Sequence, residues 1–293
     1  MWAVEDCRHL SRRLERDLLA AGERILRVPP KLMANSRSAA RSYGKSDPID
    51  ALAVARAVLR EPHLPAARLE GQDRELRLLI DHREDLVGER TRIISRLRWH
   101  LHELEPSLET AVRSLTHLRN LERLSERLKA VEGTVARIAR DLLERCRMLT
   151  TEINKLEREI TTLVEKLAPS LLAICGCGPL SAAKILGETA GIERFKSNAA
   201  YARHNGTAPL PVWSSNQARH RLSRTGNRQL NAALHRIALT QTRCYPPAQA
   251  MISRRRAQGD GGLEALRVLK RRLSDVVYRA LLADLNHQHS EAA

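Results

Sequence analysis

Two adjacent serines, Ser214 and Ser215, stand at the start of a run of positively charged side chains. A serine hydroxyl can attack a phosphodiester when nearby cations stabilise the negative charge that develops on the phosphate oxygens. The cations that follow are Arg219, His220, Arg221, Arg224, Arg228, Arg236 and Arg243. This spacing predicts chemistry on a nucleic-acid strand. The alternative is a polar loop on a surface that only binds nucleic acid.

Three carboxylates near the start of the chain form a second candidate set. Glu5 follows the short apolar run Trp2–Val4, and Asp47 and Asp50 lie three residues apart at the start of a helical segment. That spacing places both aspartates on one face of the helix. Mg²⁺ prefers such oxygen ligands and can bridge them to phosphates. The alternative is ordinary capping by acidic side chains, which favour the helix N-terminus.

The composition supports a polyanionic partner. Lys and Arg number 50 against 34 Asp and Glu, which gives a net charge of +16. An excess of this size indicates nucleic acid before other partners. Phe195 is the only phenylalanine, so we expect backbone contacts to dominate over base stacking.

The cysteines and the hydropathy pattern indicate the cellular compartment. The five cysteines are scattered, which is typical of a reducing cytoplasm. Cys175 and Cys177 are the one close pair, and they lack the further ligands of a zinc site. No apolar run is long enough to cross a membrane, and the N-terminus does not have the basic start of a signal peptide. We therefore expect a cytoplasmic protein without membrane contact.

The elements that must position the carboxylates form a predicted α/β segment over residues 1–65. The pattern predicts strands at 2–4 and 24–28, a helix over 9–20, and a helix that begins with Asp47 as its N-cap before Pro48. Two strands alone form a marginal sheet. We therefore expect further residues or a partner to complete this sheet.

Residues 66–168 are helical in pattern. Apolar residues recur at helical spacing before Pro106, and a strict heptad alternation follows at Leu149, Ile153, Leu156, Ile160, Leu163 and Leu167. This pattern predicts coiled-coil arms that form an antiparallel hairpin or a dimerising bundle. A helical core within one chain is the alternative.

Residues 169–293 contain a glycine-rich turn and several helices. Gly176 and Gly178 stand between two apolar helical pieces, an arrangement that predicts a helix-hairpin-helix whose backbone N–H groups face a phosphate. A turn that serves only packing is the alternative. The spacing also predicts helices over 229–243 and 263–285. His220 and His235 are candidate acid–base groups, with a phosphate-binding or structural role as the alternative.

Three motifs carry a family resemblance. They are KSDPIDALAVA (45–55), GCGPLSAAKILGE with GIERFKSNAAYARHNGTAPLP (176–211), and WSSNQARHRLSRTGNRQLNAALHRIA (213–238). The chain resembles the DEDD transposases of the insertion-sequence-110 type, which are relatives of the Piv DNA invertase. The motifs are spread over most of residues 1–285, and the second and third are long and specific.

The resemblance implies a mixed, mostly α protein. It implies a RuvC-like, RNase-H-fold N-terminal domain, a coiled-coil segment, and a C-terminal transposase domain whose serine forms a phosphoserine link to DNA. It also implies Mg²⁺ bound by four acidic residues and a structured non-coding guide RNA. The implied assembly is a dimer to tetramer on element-end and target DNA.

Carried over by position, Glu5, Asp47 and Asp50 match three of the four acids, and Ser215 matches the nucleophile, with Ser214 as the alternative. Asn216 stands where the family has glycine. The nucleic-acid contacts assigned in this way are Gly176, Gly178, Lys184, Arg219, Arg221, Arg224, Arg228 and Arg236.

The strand with the family's first Asp would precede Met1, so the resemblance predicts an N-terminally truncated chain. Two alternatives to a recombinase remain open. One is an inactive remnant that only binds DNA or RNA, and the other is a RuvC-like nuclease that hydrolyses DNA.

Overall fold

The chain divides into two compact units, Met1–Gly71 and Gln72–Ala293. The structure is a computed structural model. It describes residues 1–39, 46–61, 64, 66–68, 71–108, 110–214, 217–221 and 226–292, with the backbone alone at 8–9, 211–214, 217–221 and 291–292. The domain boundaries proposed from the sequence, after residues 65 and 168, stay predictions.

The first unit is a small α/β arrangement. Strands β1 (Trp2–Glu5) and β2 (Ile25–Val28) pair in parallel, with Glu5 opposite Val28. Its helices are α1 (Arg8–Ala20), α2 (Pro30–Ser38) and α3 (Asp47–Arg60). A small apolar cluster holds them together and includes Val28, Met33, Ala53, Val54 and Ala57. The two predicted strands are present, and their pairing places the end of β1 beside the end of β2.

Helix α3 begins one residue earlier than the sequence predicts. Ser46 is the N-cap residue, with extended backbone angles, and its carbonyl accepts a hydrogen bond from the Asp50 N–H at 3.0 Å. The prediction of Asp47 as N-cap is therefore wrong by one position. Asp47 and Asp50 lie in the first turn, where negative charge interacts favourably with the helix dipole.

A buried ion pair fixes α1 against β2. Glu15 is 2% exposed. It accepts hydrogen bonds from Arg27 Nε at 3.0 Å and from Ser11 Oγ at 2.7 Å. Burial opposes ionisation of this carboxyl, but the hydrogen bonds from Arg27 and Ser11 outweigh it and lower the pKa of Glu15. Because the folded pKa is lowered, the stabilisation is present at neutral pH and is lost as the pH falls below about 4.5.

Glu15→Gln is therefore expected to destabilise the first unit at neutral pH by about 1.5–3 kcal/mol, the range for a hydrogen bond to a charged group. Hydrogen exchange of the amides in α1 and β2 measures this effect. The difference from the parent protein should shrink on acidification, because the parent carboxyl is then protonated too. Asp17→Asn is the control, since the Asp17 side chain is 62% exposed. Equal effects of the two variants would contradict the assignment.

The second unit is built on a long helical hairpin. Helices α4 (Gln72–Leu104) and α6 (Thr134–Leu167) pack side by side, with α5 (Leu118–Lys129) between them in the chain. Arg83 pairs with Glu157, and Arg90 donates to Thr150 Oγ1 at 3.2 Å. These pairings show that α4 and α6 run antiparallel.

The apolar heptad positions of α6 are satisfied within this chain. Ile153, Leu156 and Ile160 are buried, whereas Trp99 near the end of α4 is 81% exposed. Leu76 and Ile80 of α4 share one apolar cluster with Ile160. The arms therefore form a helical core within one chain, and a coiled coil between chains stays a prediction.

The rest of the second unit is helical apart from one hairpin of strands. Its helices are α7 (Pro169–Leu172), α8 (Pro179–Thr189), α9 (Asn198–His204), α10 (Arg228–Cys244), α11 (Pro246–Ala257) and α12 (Gly262–Ala292). Strands β3 (Leu210–Ser214) and β4 (Gln217–Arg221) pair antiparallel. The mostly α prediction is confirmed, and the β hairpin is an addition to it. Within the described ranges, every helix is too short or too polar to span a membrane.

Candidate functional site

The serine pair belongs to the hairpin of β3 and β4. Ser214 is the last residue of β3 and lies opposite Gln217, the first residue of β4. The predicted nucleophile Ser215 and its neighbour Asn216 stand between the strands in sequence and lie outside the described residues. Arg219 and Arg221 belong to β4, and Arg224 lies outside the described residues.

The two ends of the hairpin segment meet at a contact between two glycines. A Cβ added to Gly226 would lie 2.3 Å from the Gly206 backbone N and 2.9 Å from the His204 carbonyl oxygen. The Asn227 N–H donates to that same carbonyl oxygen at 2.7 Å. The chain therefore enters and leaves the hairpin at one backbone contact, and glycine at 226 is required for it.

Asn227 anchors this contact to the helices around it. Its Oδ1 accepts a hydrogen bond from the Leu230 N–H at 2.9 Å and so caps α10. Its Nδ2 donates to Glu188 Oε2 of α8 at 2.5 Å. Both polar ends of one side chain are thus used to fix the base of the hairpin.

A cavity of about 640 Å³ opens beside this base. Helices α10 and α12 supply most of its lining, and the two glycines supply the rest. The lining residues are Gly206, Gly226, Arg228, Asn231, Ala232, His235, Leu263, Leu266, Arg267 and Lys270. Three of these carry a positive charge, and none of the described lining residues is a carboxylate. The cavity is therefore suited to an anion.

Lys270 is the most deeply buried cation of the cavity, at 6% exposure. Its Nζ donates to Asn231 Oδ1 at 2.5 Å, and Asn231 Nδ2 donates to the Asn205 carbonyl at 2.7 Å. Burial lowers the pKa of Lys270. Burial, followed by the Lys270 charge, also lowers the pKa of His235. Across the described ranges, no carboxylate is paired with Lys270.

The other predicted phosphate contacts lie in three different environments. Arg228 lines the cavity, and Arg236 is exposed on α10. Lys184 is 1% exposed and donates to Asp81 Oδ1 and Glu84 Oε2, both at 2.8 Å. Its ammonium is paired with two carboxylates of the same chain, which disfavours a contact with nucleic acid, and that contact stays a prediction.

The glycine-rich turn before α8 has a packing role at one of its two glycines. Gly176 has φ +82°, and a Cβ there would lie 3.0 Å from Thr240 Cβ and 3.2 Å from the Ile237 carbonyl oxygen of α10. Around Gly178 a Cβ would meet no heavy atom within 4 Å. The open side of the turn is therefore at Gly178. The helix-hairpin-helix and its phosphate contact stay predictions.

The three predicted metal ligands all lie in the first unit. Glu5 ends β1 and is half-buried, and Asp47 is exposed in the first turn of α3. Asp50 Oδ1 accepts a hydrogen bond from Arg37 Nη1 at 2.7 Å. Among the described residues, no group of three or more His, Cys, Asp or Glu side chains can hold a metal ion. This arrangement does not fit a preassembled Mg²⁺ site, because the Asp50 carboxylate is already paired with the Arg37 guanidinium.

The comparisons with known proteins match both halves of the chain. A transposase family model, DEDD_Tnp_IS110, matches residues 1–106, and the transposase IS116/IS110/IS902 family model matches residues 168–253. The IS116 uncharacterized 44.8 kDa protein of Streptomyces clavuligerus is 28% identical over 97% of this chain and 82% of its own length. The IS900 uncharacterized 42 kDa protein of Mycobacterium paratuberculosis is 26% identical over 91% and 78%.

Both matched models are transposase models, one reaching past the end of α4 and the other beginning after α6, and the protein is a transposase. Over residues 1–106 it is similar to the DEDD transposases of the IS110 type, and over residues 168–253 to the IS116/IS110/IS902 transposases. The DEDD family typically uses a divalent metal ion.

Lys270, the most deeply buried cation of the cavity, is not among the site residues predicted from the sequence. Lys270 occupies a position in α12 between Leu266, Leu269 and Leu273, all of which are buried. A lysine on the apolar face of an amphipathic helix is unusual, because charged side chains are rarely fully buried without a partner. That break in the apolar pattern was the signal available in the sequence.

Proposed function

We propose that this transposase moves its own insertion element by DNA strand exchange, with Ser215 as the nucleophile and Ser214 as the alternative. One observation supports this most. The segment of the chain that holds the serine pair lies between Gly206 and Gly226, and these two glycines are in contact beside a cavity lined by cations. Cations that stabilise the charge developing on a phosphate favour attack by a hydroxyl carried on the same segment of the chain.

The proposed step is a transesterification. The serine Oγ attacks phosphorus, a P–O bond to one sugar oxygen breaks, and the serine proton is transferred to that leaving oxygen. The strand is then joined to the serine by a phosphodiester. A hydroxyl at another strand end attacks the same phosphorus, restores a continuous strand and returns the proton to the serine. Bond energy is conserved, so no nucleotide cofactor is required.

Further parts of the proposal rest on the family resemblance. They are Mg²⁺ held by Glu5, Asp47 and Asp50, a non-coding guide RNA, a dimeric to tetrameric assembly, RuvC-like and helix-hairpin-helix folds, and a cytoplasmic location. The transesterification uses the serine and the cations alone, because the described carboxylates do not fit an assembled metal site.

A covalent-adduct assay tests the nucleophile. The protein is incubated with guide RNA and labelled element-end DNA, denatured, and examined for a labelled protein–DNA band. Ser215→Ala is expected to lower the adduct yield by about 1,000-fold or more, the scale for removal of a nucleophile. Ser214→Ala is the matched control and should keep the adduct.

The outcomes separate the two serines. If only Ser214→Ala abolishes the adduct, Ser214 is the nucleophile. An adduct of equal yield with both variants would overturn the serine mechanism. Cleaved DNA without an adduct would instead indicate a hydrolytic nuclease.

A binding-only protein is the second candidate function. It is favoured by the Arg37–Asp50 ion pair, which occupies a predicted metal ligand. It predicts salt-dependent binding of DNA or RNA by the parent protein, with neither adduct nor cleavage under any metal condition.

A further inference from the structure

The described part of the chain contains two buried lysines with opposite surroundings. Lys184 is 1% exposed and has two carboxylates, Asp81 and Glu84, within 2.8 Å. Lys270 is 6% exposed and has one neutral partner, Asn231 Oδ1. Removing an ammonium from water costs several kcal/mol unless an anion compensates it. The first lysine is compensated internally, whereas the second is not.

The residues around Lys270 add further positive charge without a compensating anion among the described lining residues. Arg228 and Arg267 line the same cavity, and His235 lies close enough for the Lys270 charge to lower its pKa. Like charges brought together in a partly buried site repel each other. An arrangement of this kind is stabilised when an anion enters the cavity and accepts hydrogen bonds from several donors at once.

Asn231 fixes the direction of the Lys270 ammonium. Its Nδ2 donates to the Asn205 carbonyl at 2.7 Å, and this contact requires Oδ1 to be the end that faces Lys270. Asn205 is itself fully buried, and its Nδ2 donates to Ser274 Oγ at 2.7 Å. One of the three ammonium protons is thus held by a rigid acceptor, which leaves two for a ligand.

We propose that this cavity binds one phosphate group of a nucleic-acid backbone through Lys270, Arg228 and Arg267, with Asn231 as a positioning residue. A phosphodiester provides the oxygen acceptors and the single negative charge that such a set of donors can satisfy. The inference rests on the proposed function only in taking nucleic acid as the ligand. It does not depend on the covalent step.

Salt-dependent binding tests the cavity directly. Fluorescence anisotropy of duplex DNA and of single-stranded RNA is measured over a salt series, with full-length Ser215→Ala protein and without metal. In that background Lys270→Met should weaken binding by roughly tenfold or more. It should also reduce the slope of log K against log salt by about 0.9 for the duplex, or about 0.7 for the single strand. A change for DNA alone identifies a DNA strand as the ligand, and a change for RNA alone identifies an RNA strand.

Lys166→Met is the matched control. It removes the same charge from an exposed position on α6, and both slopes should stay at the parent values. Arg267→Gln removes a charge from the same cavity at a half-buried position. This variant can still test the proposal if Lys270→Met fails to fold. The proposal is overturned if the cavity variants that fold leave both slopes unchanged, or if Lys166→Met lowers them equally.

A double-mutant cycle tests Asn231. If Asn231 acts through Lys270, Asn231→Ala should weaken binding in the parent background and add little in the Lys270→Met background. Additive losses would show that Asn231 contributes only to general structure, and would remove it from the proposed site. Every binding measurement is made with the Ser215→Ala protein. A failure of the adduct assay would therefore not change the conclusion about phosphate binding in the cavity.

Discussion

Gly226→Ala is expected to abolish adduct formation and to lower the free energy of unfolding by about 3 kcal/mol, the upper range for overpacking. The added Cβ would lie 2.3 Å from Gly206 N, 2.5 Å from Gly206 Cα and 2.9 Å from the His204 carbonyl oxygen. All three neighbours are backbone atoms, so no side-chain rotation relieves the overlap. The base of the serine hairpin has to open, and the hairpin then loses its fixed position beside the cavity.

Gly261→Ala is the matched control for this variant. Gly261 precedes α12, and a Cβ there would meet no heavy atom within 4 Å. Chemical denaturation and the adduct assay are applied to both variants. We expect the parent stability and adduct yield for Gly261→Ala. A Gly226→Ala protein as stable and active as this control would show that the two glycines are not in contact.

The second large effect concerns the buried ion pair between α4 and α8. The double variant Asp81→Asn, Glu84→Gln should destabilise the second unit by about 3 kcal/mol, the lower end of the range for leaving one partner of a buried pair uncompensated. Lys184 is 1% exposed and would keep its positive charge without a counter-charge. The amides still accept hydrogen bonds, which is why the lower end of the range applies.

Lys184→Met provides the comparison that isolates the charge. The side chains of Asp81 and Glu84 are 45% and 35% exposed, so water can solvate them once the lysine is gone. We expect a loss of about 1 kcal/mol, because an apolar side chain of similar length fills the space. Denaturation curves of the two variants should therefore differ in midpoint. A larger loss for Lys184→Met would contradict this account.

The pH dependence of this pair follows from the direction of its pKa shift. Burial opposes the charge on Lys184, but hydrogen bonds to Asp81 and Glu84 outweigh it and raise the pKa of the lysine. The charged lysine therefore contributes fully at neutral pH, and this contribution is lost as the pH rises past about 10.5.

Periodicity predicted the long elements of this fold well. The apolar spacing of α4, α6, α10 and α12 is sustained over many turns, and the core that buries it lies within the same chain. Strands β1 and β2 were also predicted, because each is a short apolar run next to a turn signal. Long helices can be predicted in this way because each turn of a half-buried helix places an apolar residue on the buried face.

The serine hairpin could not be predicted in this way. Strand β3 contains Pro211, which is unusual in a strand, and β4 reads Gln-Ala-Arg-His-Arg, so neither strand shows an apolar alternation. An isolated two-stranded hairpin is marginal in water. Its position here depends on the contact between Gly206 and Gly226, which joins residues that are distant in sequence.

The roles of the two lysines illustrate the same limit at the site. Lys184 and Asp81 are 103 residues apart in the chain, so their ion pair cannot be predicted from the local sequence. The local pattern did mark Lys270 as anomalous among buried leucines. Sequence alone does not reveal whether such a lysine has an anionic partner, because that depends on tertiary packing.

The helical hairpin also sets a length scale. With a rise of about 1.5 Å per residue, the part of α4 from Arg77, whose guanidinium lies 3.7 Å from Glu188, to the exposed Trp99 extends about 33 Å. At about 3.4 Å per base pair, this is roughly ten base pairs, or one turn of duplex DNA. A duplex shorter than one turn, laid along the helix, therefore cannot reach from one of these positions to the other. Oligonucleotide length thus becomes a variable that separates contacts at the two ends of the hairpin.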